Sequence, residues 1–584
     1  MLPPANPHED SSSSRDGKTT DVTMTAGGAL LARLKSVGVD YIFANSGTDF
    51  PPIIEGLAEA SAKDIELPKA IVIPHESAAM GMAHGYYLAT GKAQAVMAHT
   101  NVGLANCAMG ALNAAAEQVP VLLFSGRTPT TEEGRLGSRT VPIGWGQEMR
   151  DQHSLIREAS KWDYELRFPE QVPEIVDRAY AIANSTPSGP VYVSLPRETL
   201  CESVSYADLA APLSVKPARA TVYPDALAQA AELLASAERP LIIAQRGCGS
   251  AEAFEALAEI ARDWAIPVVQ YWAVQLAMAS DHPMSAGMNP SPYIEEADVI
   301  LVIDCLAPWS PAVHKPRRDC KVIHLGGDPL YSRFPVRHFP SHLSLVTDVA
   351  AGLLGLRSLL APLRTNASPS IEARRPLMEE RVRQTRARTL EGAASDGGPI
   401  TKDHVSLCLS EAIQGHDAVV LSELGCPLAP LTLNQPNSWY QEPHSGGLGW
   451  SFPAALGMSL ANRERLVVAT MGDGSYLFSN APACHQIAEA LELPILILIL
   501  NNSEWGAVRH SVLGIYPDGY AAKANSMPLT SLSPTPDFVR IAEASRAWAA
   551  SVTDAADLPA VLQRAIDHIE TKRTHALVEI RVKP

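Results

Sequence analysis

The sequence predicts an α/β protein of three doubly wound domains with mainly parallel sheets. Strand patterns alternate with helical ones along the chain, the order that builds parallel sheets. The longest strongly apolar run, Leu493 to Leu500 (LPILILIL), is too short to span a bilayer and reads as a strand buried on both faces. Two distant stretches also follow one plan. HESAAMGMAHGYYLATGKAQAVMAHTNVG and GGLGWSFPAALGMSLANRERLVVATMGDG each read as a small-residue helix, a short turn, a strand and a loop.

The elements follow in order. Residues 1–21 are polar and rich in Pro and Ser, without the apolar core of a signal peptide, and are expected to be a disordered tail. Residues 22–200 form the first domain, opening with GGALLARLKSVGV as a helix and YIFANSG as a strand and turn. Residues 206–363 form the second, with RPLIIAQRGCG as a strand ending in a Gly turn and ADVILVIDC and CKVIHLGGD as buried strands. Residues 364–399 are charged and then rich in Gly, Ser and Asp (EGAASDGGP), the composition of a linker. Residues 400–584 form the third domain.

Composition narrows the function. With 47 Lys+Arg against 63 Asp+Glu, the 584-residue chain carries a formal charge of −16, which argues against a nucleic-acid or anionic-membrane partner. The eight cysteines show no C-x-x-C pair, so zinc-ligand spacing is absent, and their scatter fits a reducing compartment; the cytoplasm is the expected location.

The chemistry concentrates in Gly472-Asp473-Gly474, followed after 26 residues by Asn501-Asn502. A strand (RLVVATM) ends in the first motif and the next strand ends in the second, so both lie at the carboxyl edge of a parallel sheet, where such sheets bind ligands. Glycines let the backbone approach a phosphate, and a following helix N-terminus favours its charge. Asp and Asn oxygens are hard ligands suited to Mg²⁺. Ordinary turns use the same residue types. The pairing of both motifs at this spacing, on two successive strands, favours the ligand site.

This pattern resembles the diphosphate-binding motif of thiamin diphosphate enzymes. The order of blocks resembles the acetolactate synthase, pyruvate oxidase and benzoylformate decarboxylase group over nearly the whole chain. The resemblance implies a pyrimidine-binding domain, a central Rossmann-like domain and a diphosphate-binding domain. It implies that Asp473, the Asn502 side chain and the Glu504 carbonyl bind Mg²⁺, with Gly472, Gly474 and Ser475 at the diphosphate. Glu76, in His75-Glu76-Ser77 after the strand AIVIP, matches the family's glutamate that hydrogen-bonds the aminopyrimidine. A carboxyl in an apolar cleft can share a proton with that ring. In Ser445-Gly446-Gly447-Leu448-Gly449-Trp450, Leu448 matches the apolar residue that bends the cofactor and Gly446 a backbone contact. The SELGCP segment, Ser422 to Pro427, falls where the family has a further diphosphate-contacting loop.

The loop Ala98-His99-Thr100-Asn101-Val102-Gly103-Leu104-Ala105-Asn106 differs from the Gly-Pro-Gly-Ala-Thr-Asn of acetolactate synthases. It is closer to the His-Ser-x-x-Gly-x-x-Asn loop of benzoylformate decarboxylase, so His99 matches a proton-relaying histidine and Thr48 an active-site serine. Gln118, His314 and the long segment 126–157, with Arg127, Arg135 and Arg139, are further candidates for substrate contact.

The resemblance therefore implies a decarboxylase or carboligase that acts on a 2-oxo acid through an enamine on the cofactor and gives an aldehyde or acyloin. An acetolactate synthase-type enzyme and a non-catalytic cofactor-binding paralogue are the alternatives. FAD stays open, because only some of the group hold it in the central domain. The resemblance also implies a homodimer or homotetramer with each site between subunits.

Overall fold

The computed structural model describes residues 23–205, 213–395 and 397–583, so the tail expected at 1–21 lies outside the described residues. β1 (Thr23–Thr25) opens the described chain. A six-stranded sheet follows, made of β2 (Tyr41–Ala44), β3 (Lys69–Val72), β4 (Gln94–Ala98), β5 (Val121–Arg127), β6 (Asp163–Glu165) and β7 (Val191–Pro196). β8 (Ser203–Ser205) returns to pair antiparallel with β1. The central sheet has five strands: β9 (Pro240–Ala244), β10 (Val268–Val269), β11 (Val299–Ile303), β12 (Lys321–Gly326) and β13 (Leu343–Val346). The third sheet has six, β14 (Ala418–Glu423), β15 (Trp439–Gln441), β16 (Leu466–Gly472), β17 (Ile495–Asn501), β18 (Trp548–Val552) and β19 (Ala576–Arg581).

All pairings within the three sheets are parallel. Helices cover both faces, and so every residue of β4 and β17 is buried. The first sheet runs β3-β2-β4-β5-β7-β6 and the third β15-β14-β16-β17-β19-β18. Numbered within each domain, both follow the order 2-1-3-4-6-5, so the repeated plan seen in the sequence is a repeated topology. The third strands β4 and β16 therefore present His99 and Asp473 at equivalent places. The register of β16 on β17, which sets Gly472 beside Leu500, brings Asp473 and Asn502 to one edge.

The first and third domains share a hydrophobic core. Helix Glu76–Thr90 crosses helix Ser451–Ala461 so closely that a Cβ on Gly85 would lie 1.8 Å from the Ala454 carbonyl oxygen, and one on Gly457 2.0 Å from that of Met82. Met80, Met82, Phe452 and Leu456 fill the space around the crossing.

The segment expected to be a linker is for most of its length a helix, Arg364–Ala393, of 30 residues. Its few buried side chains include Ile371, Arg374 and Val382, a stripe too sparse to show against the charged sequence. Arg374 donates to the carbonyls of Trp264 (2.7 Å) and Ala237 (2.7 Å), and Arg386 to that of Leu431 (3.0 Å), so the helix braces the central domain against the third. A cavity of about 640 Å³ lies under this helix at the amino-terminal edge of the central sheet, lined by Pro240 and Pro267, away from the edges that carry the candidate residues.

Candidate active site

At the carboxyl edge of the first sheet, β2, β3 and β4 deliver Asn45, Asp49, Glu76 and His99. Glu76 starts its helix behind a cap in which His75 Nδ1 accepts the Ser77 N–H. The Glu76 carboxylate is 5% exposed and accepts hydrogen bonds from the Asn45 amide at 3.0 Å and the Asn106 amide at 2.9 Å. Each oxygen is held by a neutral donor, so the carboxylate is oriented without an ion pair. Gly103 makes room for it, since a Cβ there would come within 2.8 Å of Oε1.

His99 Nδ1 lies 2.5 Å from Asp49 Oδ1, and Gln147 Nε2 lies 3.2 Å from His99 Nε2. The hydrogen bond to Asp49 raises the His99 pKa against the opposing effect of burial. Thr48 is exposed on the same turn as Asp49, and its carbonyl accepts from Arg197 at 2.9 Å. Segment 126–157 lies over this edge. Arg139 donates to Glu148 at 2.5 Å, Arg127 pairs with the same carboxylate, and Arg135 faces Glu202 at 3.4 Å. Arg127 and Arg139 are thus committed within the segment. Gln118 instead precedes β5 at the opposite edge, and His314 accepts the Ser310 N–H at 3.0 Å while packing on Tyr271.

At the carboxyl edge of the third sheet, Asp473 follows β16 and Asn502 follows β17. Asp473 is 2% exposed, its Oδ2 has no hydrogen-bond partner among the described residues, and burial pushes its pKa up. Asn501 turns inward and donates to Glu579 at 2.7 Å. The Asn502 side-chain oxygen accepts the Glu504 N–H at 3.1 Å. Trp505 (φ −66°, ψ 75°) is the centre of an inverse γ-turn in which Gly506 N–H reaches the Glu504 carbonyl at 2.8 Å. The Glu504 side chain is occupied by Thr530 at 2.6 Å and Arg509 at 3.3 Å. Ser475 is buried, and the Trp505 ring lies against Gly474, where a Cβ would meet it at 2.2 Å.

Beside these residues runs the turn of Gly446, Leu448 and Gly449. Gly446 (φ +68°) has open space where a Cβ would stand, and Leu448 is half-buried. Gly449 (φ +84°) lies so close to Phe478 that a Cβ would come 2.4 Å from its carbonyl oxygen. The SELGCP segment does not offer Glu423 to a ligand: its carboxylate is fully buried and accepts the N–H groups of Gly449, Trp450 and Ser451.

Among the described residues no three His, Cys, Asp or Glu side chains are grouped to hold a metal. An ion here would rest on one carboxylate, an amide oxygen and a carbonyl. The unpaired, buried Asp473 oxygen fits a hard divalent cation such as Mg²⁺. Among the described residues, the hydrogen bonds of Glu76 stay within the first domain and that of the Asn502 side chain within the third. The turn of Gly446 and Gly447 leans on its own chain's first domain, where Asn113 donates to the Gly447 carbonyl at 2.9 Å.

The central domain gives a different result for a flavin. Its strand order β10-β9-β11-β12-β13 reverses between β9 and β11, the place where such sheets take nucleotides. Arg246 after β9 and Asp304 after β11 fill that place. Arg246 lies 3.4 Å from Glu117 of the first domain and over the Tyr331 ring, whose hydroxyl donates to Asp304 at 2.8 Å. The cavity left beside them is about 190 Å³, below the roughly 300–1,000 Å³ of cofactor pockets.

Three sheets of this topology, with two related carboxyl edges bearing a buried glutamate and an Asp–Asn oxygen set, define a diphosphate-cofactor enzyme. Residues 24–155, 227–356 and 425–580 match the N-terminal TPP-binding, central and C-terminal TPP-binding domains of the thiamine pyrophosphate enzymes. The chain belongs to that family, in the group of acetolactate synthases and benzoylformate decarboxylases. It is 28% identical over 548 residues to a probable 2-ketoarginine decarboxylase of Pseudomonas aeruginosa, covering 92% of this chain and 90% of that one. It is 25% identical over 540 residues to a probable acetolactate synthase large subunit of Methanocaldococcus jannaschii, covering 88% and 85%. Its fold is similar to that of a thiamine diphosphate-dependent 4-hydroxybenzoylformate decarboxylase of Rhodococcus jostii RHA1, with a TM-score of 0.77, 22% identity and coverage of 96% and 99%.

Proposed function

We propose that the protein is a thiamin diphosphate- and Mg²⁺-dependent decarboxylase or carboligase acting on a 2-oxo acid and yielding an aldehyde or acyloin. The observation that carries this is the buried, unpartnered Asp473 oxygen beside Asn502, on the sheet related by topology to the one presenting Glu76 and His99. When bound, the cofactor supplies a carbon that accepts the electrons released as CO₂ leaves.

The chain's own residues do the rest. Asp473, Asn502 and the Glu504 carbonyl would hold Mg²⁺, Gly472, Gly474 and Ser475 would face the diphosphate, and Gly446 and Leu448 would face the rings. Glu76 would hydrogen-bond the aminopyrimidine, with Asn45 and Asn106 fixing its two oxygens. His99 moves a proton at Nε2, beside the exposed Thr48. The Arg246–Asp304 cluster supports a flavin-free enzyme.

The two edges come from different domains and do not meet through these side chains, which supports a site completed by a second copy of the chain, in a homodimer or homotetramer. No helix among the described residues is long and apolar enough to cross a membrane, and the eight unpaired cysteines support a cytoplasmic location.

Cofactor titration and CO₂ release would test the reading with a panel containing pyruvate, an aryl 2-oxo acid and a guanidino 2-oxo acid. Turnover that needs thiamin diphosphate and falls at least a hundredfold in Glu76→Ala is expected, on the scale of proton-transfer catalysis, about 10²–10⁴-fold. Equal activity of wild type and Glu76→Ala on every turned-over substrate would overturn it. A monomer that still turned over substrate would overturn the shared site.

A further inference from the structure

We propose that Asp49 is the positioning residue of the site: it fixes His99 with the proton on Nδ1, so that Nε2 is the atom that exchanges protons with substrate. This rests on the proposed function for its substrate, but the Asp49–His99 pair itself does not depend on it.

The pair is built into the fold from both sides. Asp49 lies in the turn after β2 and His99 at the end of β4, and 50 residues separate them in sequence. The ring nitrogen and the carboxylate oxygen, 2.5 Å apart, are within hydrogen-bond reach, and the acceptor is a charged group. The Asp49 side chain is 4% exposed, so little water competes for it. Its second oxygen faces the Thr100 N–H at 3.4 Å. Two glycines make the contact possible. A Cβ on Gly47 would meet the His99 ring at 2.2 Å, and one on Gly126 would meet Asp49 Oδ2 at 1.5 Å. Thr100, the residue after His99, holds φ +40°, a left-handed conformation unfavourable for a β-branched side chain. Backbone strain is thus accepted where His99 is aimed, as at other functional turns.

Chemistry then assigns the ring atoms. A carboxylate only accepts, so Nδ1 must be the donor, and in the neutral ring Nε2 is left as the acceptor. Gln147 meets that requirement by presenting its amide nitrogen to Nε2 at 3.2 Å. Gln147 therefore stands where a substrate oxygen must come to take the proton. Segment 126–157 holds it there through Glu148, which takes up Arg127, Arg139 and the Thr128 hydroxyl at 2.7 Å. The charged groups around the ring are Asp49 on the β2 turn, Glu76 at the start of its helix and, above, Arg127 and Arg139 on Glu148, with Glu165 3.8 Å from Arg127. Both carboxylates raise the His99 pKa, Asp49 more than Glu76, and burial opposes them. His99 is held as an acid to higher pH than a free histidine, and activity that needs the imidazolium is lost as pH rises through that raised value.

The test uses the full-length protein with thiamin diphosphate and Mg²⁺. In wild type, ¹⁵N chemical shifts of the His99 ring should report the proton on Nδ1 and a titration above the ordinary histidine value. In Asp49→Asn, that titration and the alkaline limb of the kcat profile should both move to lower pH. Turnover at neutral pH should fall by about 10²-fold, with cofactor affinity unchanged. A wild-type ring that, once neutral, carries its proton on Nε2 would overturn the proposal without any variant. So would an Asp49→Asn enzyme with an unmoved pH profile and His99 titration, whatever its activity. If no 2-oxo acid is turned over, the proposed function fails, and the ring titration still decides the pair.

Discussion

The carboxylate of Glu423 accepts the backbone N–H of Trp450 at 2.7 Å across 27 residues of sequence. The same carboxylate takes the N–H groups of Gly449 at 2.5 Å and Ser451 at 2.7 Å. These donors open helix Ser451–Ala461, which has no side-chain cap of its own, so the end of β14 supplies one. Burial pushes the Glu423 pKa up, and the three N–H groups pull it back. One inward carboxylate thus fixes the turn that carries Gly446 and Leu448.

Glu423→Gln should therefore loosen that turn. The amide keeps one acceptor oxygen but turns an NH₂ toward backbone donors. Hydrogen bonds to a charged group are worth about 1.5–3 kcal/mol each, so a loss of that order in stability is expected. Thermal unfolding and a fluorescence titration with thiamin diphosphate check it, with cofactor affinity falling about tenfold. Unchanged affinity would separate Glu423 from the cofactor turn.

Residues that act through their own local sequence were legible, and those that act through distant partners were not. Gly472-Asp473-Gly474 and Asn501-Asn502 announce themselves because strand ends and turn chemistry are local. Glu423 was read with a cofactor loop, since nothing near it shows that its carboxylate points back into the protein. Asp49 drew no notice beside Thr48, because its partner His99 lies on another strand. Helix Arg364–Ala393 passed for a linker: Pro369 and Pro376 lie inside it, and Ile371 and Val382 are its main apolar anchors. The topology was legible because alternating strands and helices leave few ways to wind a parallel sheet.

Gly85→Ala sets two effects against each other. Intrinsic helix propensity would make alanine better by roughly 1 kcal/mol. The new Cβ, however, would stand 1.8 Å from the Ala454 carbonyl oxygen, and backbone there cannot rotate away. The two helices would have to separate, and overpacking costs about 1–3 kcal/mol or more. Net destabilisation is expected in denaturant unfolding, and the same in Gly457→Ala. Gly146→Ala, where nothing lies within 4 Å, should be close to neutral. A stabilised Gly85→Ala would show that the first and third domains do not meet through this crossing.

Asp473→Asn should make the protein more stable without its cofactor and less responsive to it. The carboxylate is 2% exposed, with one oxygen unpartnered among the described residues. An unmet buried polar group costs about 1–3 kcal/mol, and more when charged. The neighbouring Lys402 offsets only part of this, because its ammonium is already held on the Leu424 carbonyl at 2.5 Å. The amide removes the charge and most of that penalty, so the melting temperature of the apo-protein should rise. Mg²⁺ and thiamin diphosphate stabilise what they bind, by about 2.7 kcal/mol at a hundredfold excess over Kd. Wild type should show that upward shift, and Asp473→Asn should lose nearly all of it. A melting-temperature matrix of both proteins, with and without Mg²⁺ and cofactor, separates the two effects. An apo variant less stable than wild type, or one that keeps the full shift, would remove Asp473 from the metal site, because a carboxylate built to bind a cation should be a burden until the cation arrives.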